Sequence, residues 1–496
     1  MIHELLERGD SSSVAIAVAD GGPKLTYEVL GDQVESLAAQ LSQYGLGKGD
    51  RIATALPNGL ETVLSFLAAA EIGTAAPLNP AYKEEEFRFY LEDTGARALI
   101  VPPGGASEAR SAASESTLIL EIECDGRSAK LSAVTRPEES RPVQNGSHAD
   151  VALMLHTSGT TSRPKRVPLS PSNLMASARN IADWYQLGPS DVSLCVMPLF
   201  HVHGLMASTL GTLLTGGEVV IVPRFNPLAF WAVVRDHRAS WYSAVPTIHQ
   251  LLLARAREGT RPAGAEGLRF IRSCSAALPP RTMAEIEDRF GAPVLEAYGM
   301  TEASHQMSSN PLPPKTRKPG SVGLGASVEI AILDQKGSVL GSEAAGEVCI
   351  KGPNVFSGYE DNAEANASSF SNGWFRTGDQ GFLDLEGYLV LTGRIKELIN
   401  RGGEKISPRE IDEVLLAHSS VAEAVCFGLA DRVYGEEVAA AVVLKGPAGE
   451  AELVRHCKSS LSDFKCPKRI FIVDTIPRTA TGKIQRRHVA SLFTDP

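Results

Sequence analysis

The feature that most restricts the fold is an alternation of two hydrophobic periods early in the chain. From residue 13 to residue 101, short apolar runs exchange with stretches of helical spacing. VAIAVA is followed by YEVLGDQVESLAAQLSQYG, which a glycine closes. RIATALP, GLETVLSFLAAAEIG and then EEEFRFYLEDTGARALIV, a helix running into a strand, complete the series. Strands separated by whole helices need crossover connections, so the segment predicts an α/β sheet. Residues 102–149, from PPGGASEARSAASES to TRPEESRPVQNGSHAD, are small, polar and proline-containing, and read as a surface excursion. Strong patterning resumes at ALMLHTSG and continues to about residue 390, with VSLCVMPLF, EVVIV and LRFIRS as apolar strands.

A boundary falls within GRIKELINRGGEKISP, residues 393–408. A helix is expected to start there, with Ser407 as N-cap, Pro408 at the first helical position and Glu410 completing a capping box. AEAVCFG, EVAAAVVL and RIFIVD then read as strands, and EAELVRHCKSSLSDF as a helix. The fold class expected is α/β: a large N-terminal body of α/β subdomains and a small α+β C-terminal domain.

Composition narrows the partners. With 48 Lys and Arg against 58 Asp and Glu, the net charge is −10. Such a chain has no general attraction for nucleic acid or anionic lipid, so any polyanion must be held by local devices. Seven scattered cysteines without a C-x-x-C pair argue against a disulfide framework or structural zinc and fit a reducing compartment. MIHELLERGDSSS lacks the apolar stretch of a signal peptide, and Val63–Ala70 is far shorter than the roughly 18 residues of a membrane span. FTDP carries neither S-K-L nor a prenylation signal. The expected location is cytoplasmic, without membrane insertion.

The sharpest local signal is Thr157-Ser158-Gly159-Thr160-Thr161-Ser162-Arg163-Pro164-Lys165, directly after VALMLH. Its hydroxyls, backbone N–H groups and ammonium suit a polyphosphate, although Pro164 and Arg166 exclude a Walker A loop. Alone it reads equally well as a Ser/Thr-rich turn. Ala297-Tyr298-Gly299-Met300-Thr301-Glu302 sets an aromatic face, a hydroxyl and a carboxylate close together, a set suited to base stacking, phosphate contact and magnesium. Asp379, closing WFRTGD, has the acceptor capacity for two ribose hydroxyls. Arg394 in GRIKE, the RGGEK run at 401–405 and Lys483 in PRTATGK follow. Taken singly, each is more often an ordinary turn or a solvated charge.

In this order and spacing the set resembles the AMP-forming acyl-adenylating superfamily of acyl-CoA synthetases, peptide-synthetase adenylation domains and luciferases, over nearly the whole chain. The resemblance implies an AMP- and acyl-binding domain at 1–393, a lid domain at 394–496 and a hinge near Lys396. It implies ATP, Mg2+ and coenzyme A, with a carboxylic acid activated as acyl-AMP and passed to a thiol. Thr157, Ser158, Gly159, Thr160, Thr161 and Lys165 would hold phosphates. Ser275, Ala276, Ala277, Glu296, Ala297 and Tyr298 would surround the base, with Asp379 and Arg394 on the ribose. Thr301 would touch the α-phosphate, Glu302 the magnesium and Lys483 the reacting carboxylate. Gly402, Gly403 and Lys405 would serve the second half-reaction after the lid turns.

HTSGTTSRPK, PLFHVHG, WYSAVPTIHQ, IRSCSA and MSSNPLP look like the oxalate–CoA ligases of plants and yeast. That closer resemblance implies substrate contacts from Ser275 and His305, while the superfamily resemblance implies His201 as a gate beside the acyl pocket. Ser162 stands where the superfamily usually has glycine, and Arg166 where a small residue is common, a change expected to alter loop mobility. Six of the eleven histidines lie between residues 156 and 305, and most such residues are surface or satisfied core. His201-Val-His203 lacks a nearby Cys or carboxylate to complete a zinc site. Independently, Ser273, Ser275, His201 and His305 offer the donors that a second buried carboxylate needs. Other small, medium-chain or aromatic acids, or a carrier-protein thiol acceptor, are the alternatives.

Overall fold

The computed structural model describes residues 2–135, 151–157, 164–257, 259–479 and 483–493. Its largest sheet has nine strands, in the order Leu324–Gly325, His305–Ser309, Val294–Met300, Phe270–Ser273, Trp241–Ala244, Val192–Cys195, Glu218–Ile221, Val14–Val18 and Lys24–Thr26. The central strands pair parallel and the flanks antiparallel. A seven-stranded sheet repeats the plan around Arg51–Thr54, with Ala98–Val101 and Thr74–Pro77 beside it. Ala98–Val101 is buried along its whole length, which is why it reads as an unbroken apolar run.

Helices supply the crossovers. Tyr27–Gln43 begins on Thr26, whose hydroxyl accepts from the Val29 amide at 3.3 Å, and buries Leu30, Val34, Leu37 and Leu41 at helical spacing. Each such side chain contributes roughly 1.5–3 kcal/mol when fully buried. Leu60–Ile72 is apolar on nearly every side and correspondingly buried.

The surface excursion expected at 102–149 is corrected. Leu118–Cys124 and Ala129–Ala133 are paired strands that extend the seven-stranded sheet. Leu118, Leu120 and Ile122 enter the core, a short apolar signal hidden between polar flanks. Residues 136–150 lie outside the described residues.

A third sheet joins Glu329–Leu333, Gly346–Lys351 and Trp374–Leu383, with Phe370–Ser371 and Leu389–Arg394 paired to the last of these. Arg394 closes that sheet opposite Asp379, Ile395–Glu397 makes one helical turn, and Ile399 opens the fourth sheet. That sheet is filled on both faces by strict alternation. Ala424, Cys426, Val438, Ala440 and Val442 join one cluster, while Val425, Phe427, Ala439 and Ala441 join another. The helix expected after residue 407 spans Pro408–Ala417, but its capping box does not form. The Ser407 hydroxyl donates instead to the Thr392 carbonyl, and Glu410 pairs with Lys465 at 2.8 Å.

Parallel pairing brings the carboxyl ends of Val192–Cys195, Trp241–Ala244, Phe270–Ser273 and Val294–Met300 to one rim. The loops leaving them carry His201 and His203, Ser275–Ala277, and Thr301–Glu302. In open α/β sheets this rim is where ligands bind.

Candidate active site

At one end of the rim, the Tyr298 hydroxyl donates to Asp379, and Arg394 pairs with the other oxygen of Asp379 at 3.0 Å. The pairing follows from register, since Asp379 and Arg394 face each other across two antiparallel strands. Ser275, half-buried, and the exposed Ala276 and Ala277 form the neighbouring loop. Glu296 supports that loop from beneath. Its Oε1 accepts from the Leu278 amide at 3.0 Å, while Oε2 is buried without a partner among the described residues. Burial raises this carboxyl to about 7. Ala297 is buried in the strand beside it.

Next along the rim stand Thr157, Lys165, Thr301 and Glu302. Thr157 Oγ1 accepts from the Lys165 amide at 3.1 Å and ties off the base of the loop. Ser158, Gly159, Thr160 and Thr161 lie outside the described residues. The Lys165 ammonium sits 4.4 Å from the ring centroid of Tyr359, whose hydroxyl donates to Glu302 Oε1 at 2.7 Å. Burial lowers the Lys165 pKa, and Lys396 adds repulsion. Arg166, expected to change loop mobility, is bound by ion pairs to Glu360 at 2.8 Å and to Asp361.

Mg2+ is usually held by one or two carboxylates together with substrate phosphates. Glu302 fits that role: it is buried, and one phenol occupies only part of its acceptor capacity. Among the described residues no group of three His, Cys, Asp or Glu forms a dedicated metal cage.

The third part of the rim is a buried polar cluster. His203 Nδ1 lies 3.0 Å from Ser275 Oγ and Nε2 lies 2.6 Å from Ser243 Oγ. The His305 ring stacks on His203 with centroids 5.2 Å apart. Arg272, fully buried, donates from Nε to the Tyr185 hydroxyl at 2.8 Å, and from Nη1 to Ser243 Oγ and Nη2 to Gln306 Oε1, each at 3.0 Å. Burial holds His203 and His305 far below the usual histidine range, and the guanidinium adds to the effect. Burial first, then the Lys483 charge, brings His201 down to about 3. The imidazoles therefore stand neutral at pH 7.

Backbone strain marks the same place. Ser275 (φ +72°), Ser304 (φ +50°) and His305 (φ +107°) are non-glycine residues at positive φ, at roughly 1–3 kcal/mol each. The His305 conformation breaks strand alternation, so that both His305 and Gln306 reach the Arg272 cluster. Ser273, by contrast, alternates to the opposite sheet face from Arg272.

Lys483 is half-buried, its amide donating to Thr479 Oγ1 at 3.1 Å. Burial lowers its pKa, with Arg394 adding repulsion. Thr157, His201 and Thr301 share a cleft of about 680 Å3 with Arg478, Thr479, Gln485 and His488 of the C-terminal unit. Gly402, Gly403 and Lys405 lie elsewhere, on an exposed hairpin where the Gly402 amide donates to the Tyr434 carbonyl at 2.7 Å.

His203, Ser243, Arg272, Gln306 and Tyr359 were not among the site residues expected from sequence. The single arginine inside the strand Phe270–Ser273 was a legible signal, and so was the second histidine of HVH. Tyr359 carries no local motif.

The AMP-binding enzyme family model matches residues 7–360, and that of the AMP-binding enzyme C-terminal domain matches residues 410–483. The chain belongs to the AMP-binding enzyme family. An oxalate–CoA ligase of Arabidopsis thaliana is 48% identical over 495 residues, covering 95% of this chain and 94% of the relative. An oxalate–CoA ligase of Saccharomyces cerevisiae is 45% identical over 524 residues, covering 97% and 95%. The solved structure of ATP-bound MatB from Rhodopseudomonas palustris matches with a TM-score of 0.89 at 30% identity, over 100% of this chain and 98% of that one.

Proposed function

We propose that this protein is an ATP-dependent oxalate–CoA ligase. The observation that carries the reading is the polar cluster at the strand ends. A pocket for a fatty chain would be lined by apolar side chains, whereas His305 and Ser275, the latter held by His203, offer neutral donors to a second carboxylate. The oxalate–CoA ligases at 48% and 45% identity support the same acid.

A carboxylate resists attack because its carbon already bears an anion. In the first half-reaction a carboxylate oxygen attacks the α-phosphorus of ATP, and the bond to pyrophosphate breaks. In the second, the thiolate of coenzyme A attacks the acyl carbon and AMP leaves with the bonding pair. One difficult step becomes two easier ones.

Tyr298 would stack on the base, with Ser275, Ala276 and Ala277 beside it, while Asp379 and Arg394 grip the ribose. Thr157 and Lys165, with the rest of their loop, would hold phosphates, and Thr301 the α-phosphate. Magnesium, held by Glu302 when bound, neutralises phosphate charge. Lys483 would bridge the substrate carboxylate and the α-phosphate, where charge accumulates as they approach. With His201, His203 and His305 neutral, the Lys483 ammonium supplies positive charge there that the imidazoles do not. With residues 1–393 as body and 394–496 as lid, rotation near Lys396 would withdraw Lys483 and bring Gly402, Gly403 and Lys405 toward the thiol. Seven free thiols, six of them buried, support a reducing compartment such as the cytosol.

The test is AMP and pyrophosphate release with coenzyme A and a panel of acids. Oxalate should turn over fastest. Turnover of octanoate or benzoate without oxalate would overturn the reading.

A further inference from the structure

Arg272 is a fully buried guanidinium whose hydrogen bonds to Tyr185, Ser243 and Gln306 reach no carboxylate. Such a charge is costly to bury, and arginine cannot escape the cost by losing its proton. Its hydrogen bonds also have a fixed direction, because a guanidinium only donates.

Following the donors outward gives a polarised chain. Ser243 Oγ accepts from Arg272 and keeps its own proton to give to His203 Nε2, 2.6 Å away, which continues the chain outward. Neutral His203 then carries its proton on Nδ1 and donates to Ser275 Oγ at 3.0 Å. The Ser275 hydroxyl proton is thereby freed for a ligand at the loop. A second branch runs through Gln306. Its Oε1 is occupied by Arg272 and by the Tyr185 hydroxyl at 2.9 Å, and its buried Nε2 has no partner among the described residues. His305 Nε2, stacked against His203, is likewise buried without a described partner. One unmatched positive charge thus stands behind several donors aimed away from it.

We propose that Arg272 is the positioning residue that sets specificity for an acid carrying a second negative charge. It acts without touching the substrate, by orienting the Ser243–His203–Ser275 chain and the Gln306 amide toward the distal carboxylate. That carboxylate supplies a counter-charge that the hydrogen-bond partners of Arg272 among the described residues do not. The inference rests on the oxalate reading above but can fail separately from it.

The experiment is ATP–pyrophosphate exchange on the full chain, with the KM for oxalate and for ATP measured in Arg272→Gln, Arg272→Lys and Ser243→Ala. The expected result for Arg272→Gln is an oxalate KM raised roughly 30-fold, the size of a lost charge-assisted hydrogen bond, with the ATP KM within about threefold. Arg272→Lys, which keeps the charge but loses the fork, should fall between it and the wild type. Ser243→Ala cuts the first link without disturbing the guanidinium, and should raise the oxalate KM roughly tenfold even where Arg272→Gln fails to fold. A general structural defect would raise both KM values together, and that result overturns the proposal. So does an oxalate KM within threefold of wild type in any folded variant. A wild-type enzyme that exchanges with other acids and not with oxalate would sink the functional reading instead.

Discussion

Replacing Glu296 with glutamine should make the protein progressively more stable than the wild type as pH rises. Glu296 is 1% exposed, and one of its oxygens has no partner among the described residues. Its folded pKa of about 7 stands above the ordinary 4.5 because burial penalises the anion. Below pH 4.5 the carboxyl is protonated folded or unfolded, and its contribution is fully present. Between 4.5 and 7 the unfolded chain ionises while the folded one holds its proton, so stability is lost through that window. A gap of about 2.5 units, at about 1.4 kcal/mol each, amounts to about 3 kcal/mol. Glutamine keeps an oxygen for the Leu278 amide and removes the titration. Urea unfolding followed by tryptophan fluorescence, in steps from pH 4.5 to 8, measures the difference between variant and wild type. That difference should grow by about 3 kcal/mol across the range. Parallel profiles with a constant offset would refute the reasoning.

Two other predictions concern the same rim. His249, fully buried and brought down to about 4 by burial, acts with the opposite sign: its contribution is complete above pH 6.5 and is lost as pH falls toward 4. Relative to His249→Gln, the wild type should lose about 3 kcal/mol between pH 7 and 4 in the same urea series, and an unchanged difference would count against it. Lys483→Ala should reduce pyrophosphate exchange by at least about 100-fold while sparing thioester formation from supplied acyl-adenylate, and equal loss of both would remove the assigned role.

The sheets were legible because parallel strands buried on two faces leave long apolar words such as VVIV and ALIV. Leu118–Cys124 was not, because its run is brief and its partner Ala129–Ala133 is half polar. The residues proposed to face the nucleotide sit in contiguous motifs, so Tyr298, Thr301 and Glu302 could be named together from sequence. The buried polar cluster proposed to receive the acid is assembled differently. Arg272, Ser243, His203 and Gln306 come from four segments and meet only through strand register and a positive φ at His305. No local pattern encodes that meeting. The capping box at Ser407 was a fair local inference that a neighbouring strand defeated, since the Thr392 carbonyl took the hydroxyl.

The anchoring of Lys483 bears on how its ammonium can be delivered and withdrawn. Its backbone is clasped to Thr479 in both directions, and Arg478 bridges Ile484 across the base of the turn. Three residues on, Arg486 is bolted to Asp412 at 2.7 Å and to Glu397 at 3.3 Å. So short a tether leaves no slack for the lysine to travel alone. On the role proposed for Lys483, whatever withdraws its charge must carry the whole small unit with it, and the precision of the chemistry becomes the precision with which two bodies dock.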